Sequence, residues 1–280
     1  MNAPGRASRG DNFNSVRLRH VFSFAVLLLA ACGTGDTGDS TARSAKREPD
    51  QNAIAVPSRP TPVVLKASDG VAVYGARHSS PRPRAVILLF HQAGSSHGEY
   101  TTIAPRLAAL GFDTLAIDQR SGGEMFGPNR TATGLGRSAS YLEAEPDLEA
   151  AFAWARGRRL PIILWGSSYS AALVFRVAER HPSDTEAVLA FSPGEYLGGP
   201  TLVRTAAAKV SAPVFVAAAS DPSESMTARS ILSATKSTIK VLYLPSQDSV
   251  HGASTLIVAR NPQGASKAWH AVEGFLARVG

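Results

Sequence analysis

At 280 residues, with 44% apolar and 18% charged residues, the chain is long enough for one large α/β domain and too apolar for a disordered one. Its formal charge is +7, but most of the 29 basic residues are scattered arginines without a basic stripe or interleaved aromatics, so nucleic acid is excluded as the expected partner. The single cysteine, Cys32, excludes an internal disulfide.

Arg17 and Arg19 precede an apolar run over 21–29, followed by Ala30-Ala31-Cys32. A basic start, a short apolar stretch and small residues at its end describe a secretory signal, too short to span a membrane comfortably. Leu29-Ala30-Ala31-Cys32 resembles the bacterial lipobox. That resemblance implies a lipoprotein signal peptide over 1–31 and a lipidated Cys32 as the first mature residue, anchoring the protein to the membrane. Gly33, rather than Asp, after the cysteine leans towards the outer membrane, so the expected location is the bacterial cell envelope and not the cytoplasm. Residues 32–60, rich in Gly, Thr, Asp, Ser, Arg and Pro without an apolar period, read as a flexible tether. The folded domain is expected over 61–280.

Apolar runs at 63–65 and 71–74 flank Ser68-Asp69-Gly70, the pattern of an antiparallel hairpin. From there strands and helices alternate. Continuous apolar runs over 85–90, 114–117, 161–165, 187–191, 214–218 and 239–244 suit buried parallel strands. Helical spacing is expected over 99–110, closed by Gly111, over 146–156 with Pro146 in the first turn, and over 171–180, 201–209, 225–234 and 266–279. Repeated β-α units imply a mostly parallel twisted sheet with helices on both faces.

The stretch Gly166-Ser167-Ser168-Tyr169-Ser170 passes from strand to helix without a loop. Gly166-x-Ser168-x-Ser170 is a relaxed nucleophile elbow, a sharp turn that lifts a serine hydroxyl above the sheet and demands small residues two positions to either side. Ser168 is therefore the candidate nucleophile. Ser167 is disfavoured, because Trp165 and Tyr169 would then occupy the positions that must be small.

Sites in such sheets form at the carboxyl ends of the strands. His91-Gln92-Ala93-Gly94 follows the 85–90 strand and can supply a backbone N–H that joins the N–H of Tyr169 in an oxyanion hole. His91 itself reads as a structural residue bonding its own loop. Asp221 follows the 214–218 strand and is the candidate acid that orients an imidazole, while Asp248, three residues before His251, is the alternative and reads as a turn former. His251, followed by Gly252, is the candidate base. Asp118 is expected to tie down its own loop, with Arg120 as a partner. The remaining histidines show no metal-ligand pairing, and Phe152 and Trp154 read as packing residues.

These segments, together with Ile117-Asp118-Gln119-Arg120-Ser121-Gly122-Gly123, resemble the α/β-hydrolase superfamily, nearest its dienelactone-hydrolase-like and small-esterase branches. The order Ser168, Asp221, His251 is that of the superfamily. The resemblance implies the α/β-hydrolase fold and a serine hydrolase acting on a small carboxylic ester, with no metal or organic cofactor. It also implies oxyanion donors at Tyr169 and at Ala93 or Gln92, since Gln92 stands where the family usually has Gly. Ser170 likewise replaces the usual second glycine of the elbow. An amide or lactone substrate, or a lipid-anchored binding protein that reuses the pocket, are the alternatives. Residues 124–139, rich in Gly, Thr and Arg, are the candidate pocket-shaping segment.

Overall fold

The structure, a computed structural model, describes residues 59–279. The signal peptide over 1–31, Cys32 and all but the last two residues of the tether over 32–60 lie outside the described residues. The chain runs β1 (Thr61–Lys66), β2 (Ala72–His78), β3 (Ala85–Phe90), α1 (Ile103–Ala109), β4 (Phe112–Ile117), α2 (Arg130–Leu135) and α3 (Glu145–Arg156). It continues with β5 (Ile162–Ser167), α4 (Tyr169–Arg180), β6 (Thr185–Phe191), α5 (Leu202–Ala207), β7 (Val214–Ala217), α6 (Pro222–Ala234), β8 (Lys240–Tyr243) and α7 (Ala265–Leu276).

The eight strands of the described residues form one sheet in the order β1-β2-β4-β3-β5-β6-β7-β8. The β1–β2 hairpin and the β2–β4 pair are antiparallel, and every other pair is parallel. Period-two alternation explains why the central strands are apolar throughout. Val86, Leu88 and Phe90 of β3, with Leu164 of β5, face a core covered by Leu148 and Phe152 of α3 and by Leu173 and Val177 of α4. Ile87 and Leu89, with Ile163 and Trp165, face the opposite core beneath Leu107 of α1 and Trp269, Val272 and Phe275 of α7. Each large side chain buried in this way contributes roughly 1.5–3 kcal/mol.

Two expectations change. The helix expected over 99–110 is split into a short 3-10 turn, His97–Tyr100, and α1. The turn is held by Ser96, whose hydroxyl accepts the Gly98 N–H, and by the Tyr100 hydroxyl, which donates to Phe90 O at 2.6 Å. Asp118 does not meet Arg120. Its carboxylate accepts the His97 N–H and Nδ1–H at 2.8 Å and the Arg130 N–H at 2.9 Å. Arg120 is instead buried between Asp147 of α3, at 2.7 Å, and Asp69 of the hairpin turn, fastening the edge hairpin to the helix layer. Among the described residues no helix is long and apolar enough to cross a membrane.

Candidate active site

The elbow is built by close approach. A Cβ on Gly166 would lie 2.4 Å from Ser170 O, so only glycine lets β5 and α4 meet. Ser168 pays for this turn with a backbone at φ 59°, ψ −121°, a conformation costing about 1–3 kcal/mol for a residue with a side chain. The Ser168 N–H donates to Phe191 O at 2.8 Å, which fixes the turn against the end of β6. Ser170, in the usual glycine position, is fully buried, and its hydroxyl donates to Phe90 O at 2.6 Å while accepting the Ser167 N–H at 2.9 Å.

Ser168 and His251 are brought together: His251 Nε2 lies 2.8 Å from Ser168 Oγ. With the serine hydroxyl as donor to Nε2, the ring proton sits on Nδ1 and points at Glu224 Oε1, 2.7 Å away. This hydrogen bond holds the Glu224 carboxyl below the usual glutamate range. Gly252 permits the approach, with φ at 69° and no Cβ to strike Ser167 Oγ.

The carboxylate facing His251 is therefore Glu224 and not Asp221. Asp221 is the exposed N-cap of α6, with Pro222 in the first helical turn, and its Oδ1 accepts the N–H groups of Ser223 at 2.9 Å and Glu224 at 3.0 Å. The Ser223 hydroxyl, which donates to Oδ1 at 2.6 Å, and after it those backbone bonds hold its carboxyl below the ordinary aspartate value. The helix begins at Pro222, earlier than the expected 225, and this places Glu224 in its first turn. Asp-Pro-x-Glu is a helix-start signal in which the aspartate caps, and it marks Asp221 as a cap in the sequence itself. Asp248 is exposed at φ 56°.

Gln92 is excluded as the oxyanion donor, because its N–H is bound to Glu99 Oε2 at 2.8 Å. That leaves the Ala93 N–H as the loop's candidate, to be paired with the N–H of Tyr169, the first residue of α4. The Gln92 side chain reaches across the site and donates to Ser254 Oγ at 3.1 Å, just beyond His251. His91 is wholly buried and structural. Its Nε2 accepts the Gln119 N–H at 2.9 Å, so its Nδ1–H donates to Gln92 O at 2.8 Å, and burial pushes its pKa down to about 4.

Three further residues emerge only from the folded chain. Ser192, at φ 51° after β6, accepts the Gly252 N–H at 2.9 Å and steadies the segment behind His251. Glu99 is buried beneath the elbow. Tyr141 stacks on Tyr169 at 4.4 Å and forms, with Ser140, Leu142, Tyr196, Leu197 and Gly198, a cavity of about 390 Å³. This wall lies just past the 124–139 segment expected to shape the pocket. Within that segment, Asn129 caps α2 and its Nδ2 donates to Ser95 O at 3.1 Å and Gln119 O at 2.9 Å, bracing the two loops beside the site.

A family model described as serine aminopeptidase, S33, matches residues 81–250, more than half of the chain. The chain belongs to this family of α/β-hydrolases. It is similar in structure to a dienelactone hydrolase from Anabaena variabilis, at 16% identity over 79% of this chain and 98% of that one, with a TM-score of 0.63. An esterase from Pyrococcus furiosus follows at 17% identity, covering 79% and 91%, with a TM-score of 0.59. A thermostable carboxyl esterase from Bacillus coagulans shares 11% identity over 78% and 99%, at 0.58. No curated protein matches significantly. The family makes the molecule a hydrolase, and the sheet order and these likenesses fit the α/β-hydrolase fold that the elbow and loop motifs imply.

Proposed function

We propose that this hydrolase cleaves a small, uncharged carboxylic ester through an acyl-enzyme on Ser168. The observation that carries the reading is the continuous hydrogen-bond relay from Ser168 Oγ through His251 to Glu224, set on a strained strand-to-helix turn. As Oγ attacks the ester carbonyl, His251 Nε2 takes its proton, and Glu224 steadies the imidazolium through Nδ1–H. The N–H groups of Ala93 and Tyr169 receive the oxyanion, each such donor contributing about 3 kcal/mol in the transition state. The tetrahedral adduct then collapses, the C–O bond breaks, and the alcohol leaves with the proton held on His251. Water repeats the sequence with His251 as base, releasing the acid and restoring the Ser168 hydroxyl.

The substrate class is read from the cavity walled by Tyr141, the ring that stacks on Tyr169 next to the nucleophile. Two tyrosines and two leucines line it with no charged side chain, and Leu142 and Tyr196 are 40% and 36% exposed, leaving apolar surface for a flat or short-chain group. The family's description favours a second reading, release of an N-terminal amino acid. A substrate ammonium would call for a free carboxylate at that lining, and Glu224, whose charge reaches Tyr196, is already engaged by His251. The ester is therefore preferred over the peptide. Lipidated Cys32, if formed, would hold this chemistry at the bacterial envelope, most simply the outer membrane; mass spectrometry of the mature N-terminus tests it, and an unmodified Cys32 or cleavage elsewhere refutes it.

A fluorophosphonate probe should label the wild type and fail on Ser168→Ala, and aryl esters of graded acyl length should be cut with a preference for short or flat acyl groups. A folded wild type that the probe does not label would instead favour a binding protein. Faster hydrolysis of aminoacyl anilides than of esters would replace the esterase with an aminopeptidase.

A further inference from the structure

Glu99 is 1% exposed, yet no arginine or lysine pairs with it among the described residues. A buried carboxyl without a cation needs hydrogen-bond donors in compensation. Two of those it has come from separate parts of the site, and a third part is joined through one of them. Oε2 accepts the Gln92 N–H at 2.8 Å, in the loop that carries the Ala93 donor. Oε1 accepts the Ser167 hydroxyl at 2.8 Å, the residue immediately before Ser168. Ser167 Oγ in turn accepts the Ala253 N–H at 2.9 Å, two residues beyond His251.

We propose that Glu99 is the positioning residue of the reaction centre, a single carboxylate that keeps the oxyanion loop, the nucleophile and the histidine segment in mutual register. The inference rests on the serine-hydrolase reading and deepens it. Gln92 and Ser167 are both donors to Glu99, an arrangement that fits an ionised carboxylate and not a protonated one. A proton on Oε1 would turn that oxygen into a donor towards Ser167 Oγ, which already receives the Ala253 N–H, and the Ser167 hydroxyl would have to turn elsewhere.

The titratable groups around it act in one direction. From the segment after β8, His251 in its charged form favours the Glu99 anion, and by reciprocity the anion favours the imidazolium that forms during catalysis. From its own turn and from α4, the Tyr100 and Tyr169 hydroxyls feel its charge and are held neutral, as burial already makes them. His97 bonds Asp118, and His91 bonds Gln92 and Gln119, so neither neutralises it. Burial raises the Glu99 pKa to about 7, which places its proton loss within the working range of an imidazole base.

The test is Glu99→Gln, which keeps the shape and fixes the neutral state. With an aryl ester, kcat should fall about tenfold to a hundredfold with KM little changed, the size expected when reacting groups lose alignment. The acid limb of kcat/KM against pH should be steeper than one proton in the wild type and drop to one proton in the variant. Glu99→Asp, which keeps the charge, should recover part of the rate and the steep limb. If Glu99→Gln does not fold, Ser167→Ala removes one arm of the bridge and should lower kcat in the same way. A variant that keeps the wild-type acid limb, whatever its rate, overturns the positioning role and leaves the hydrolase reading standing. A wild type that neither cuts esters nor labels with the fluorophosphonate removes the hydrolase reading itself, and this role with it.

Discussion

Asp221 accepts the backbone N–H of Glu224 at 3.0 Å, so the residue that caps α6 also fixes where the carboxylate facing His251 begins its reach. The two acids divide their work by distance and exposure. Glu224 is in direct contact with Nδ1 at 2.7 Å, and Asp221 is bonded to backbone. Replacing Glu224 with Ala should therefore lower kcat/KM by about a thousandfold or more, as loss of a histidine-orienting acid does in serine hydrolases. Asp221→Ala should retain most of the activity and lower the melting temperature through the lost cap. Steady-state ester hydrolysis and thermal melts on both variants check this; equal loss of rate in the two would refute the assignment.

Gly252 gives the second prediction. An added Cβ would meet Ser167 Oγ at 2.5 Å, and the backbone already holds φ at 69°. Gly252→Ala must push back either the elbow or the histidine segment, and His251 moves with the latter. Stability should fall by about 1–3 kcal/mol, and kcat should fall with it because the Ser168–His251 distance opens. Urea unfolding and single-turnover acylation on the same preparation measure both. A variant with wild-type values in both would show that the site tolerates the crowding.

Much of this architecture is written in local pattern. The unbroken apolar runs of β3 and β5 signal strands buried on both faces, and the split of their alternate residues between two cores is the physical reason. Small residues around Ser168 and the glycine after His251 mark places where backbones pass closely, and those are the places the structure shows. The acid was missed because the segment after β7 reads as loop up to Ser225 unless Asp221-Pro222 is taken as a cap and a first turn. Glu99 and Ser192 carry no comparable mark. Their partners lie 68 and 60 residues away in the chain, at Ser167 and Gly252, so their roles exist only once the sheet has assembled. The cavity wall at Tyr141 and Tyr196 is likewise made by two separate loops, and neither has a periodic signature.

Ser170 carries the third prediction. Its hydroxyl satisfies the buried Ser167 N–H and binds Phe90 O, joining the ends of β5 and β3 beneath the nucleophile. Phe90 O keeps the Tyr100 hydroxyl, so Ser170→Ala leaves the buried Ser167 N–H without its partner, a loss of about 1–3 kcal/mol. Urea titration should show a lower midpoint with an unchanged slope, since the unfolded surface is the same. An unchanged midpoint would mean that water or a backbone shift replaces the hydroxyl.

The last prediction concerns pH and stability. A glutamate in the unfolded chain releases its proton near 4.5, whereas folded Glu99 keeps it to about 7, chiefly because burial penalises the charge. Between those two values the unfolded chain binds fewer protons than the folded one, so this group makes stability fall as pH rises from about 4.5 to about 7 and contributes a constant amount above that. The size is on the order of 3 kcal/mol. Glu99→Gln is neutral at every pH and lacks this component, while all other ionisations are shared with the wild type. The unfolding free energy of the wild type minus that of the variant, taken from urea curves between pH 5 and 8, should therefore decline across the window and flatten above it. A difference that stays level would mean that Glu99 ionises in the folded protein at its ordinary value, and that its hydrogen-bond donors offset its burial in full.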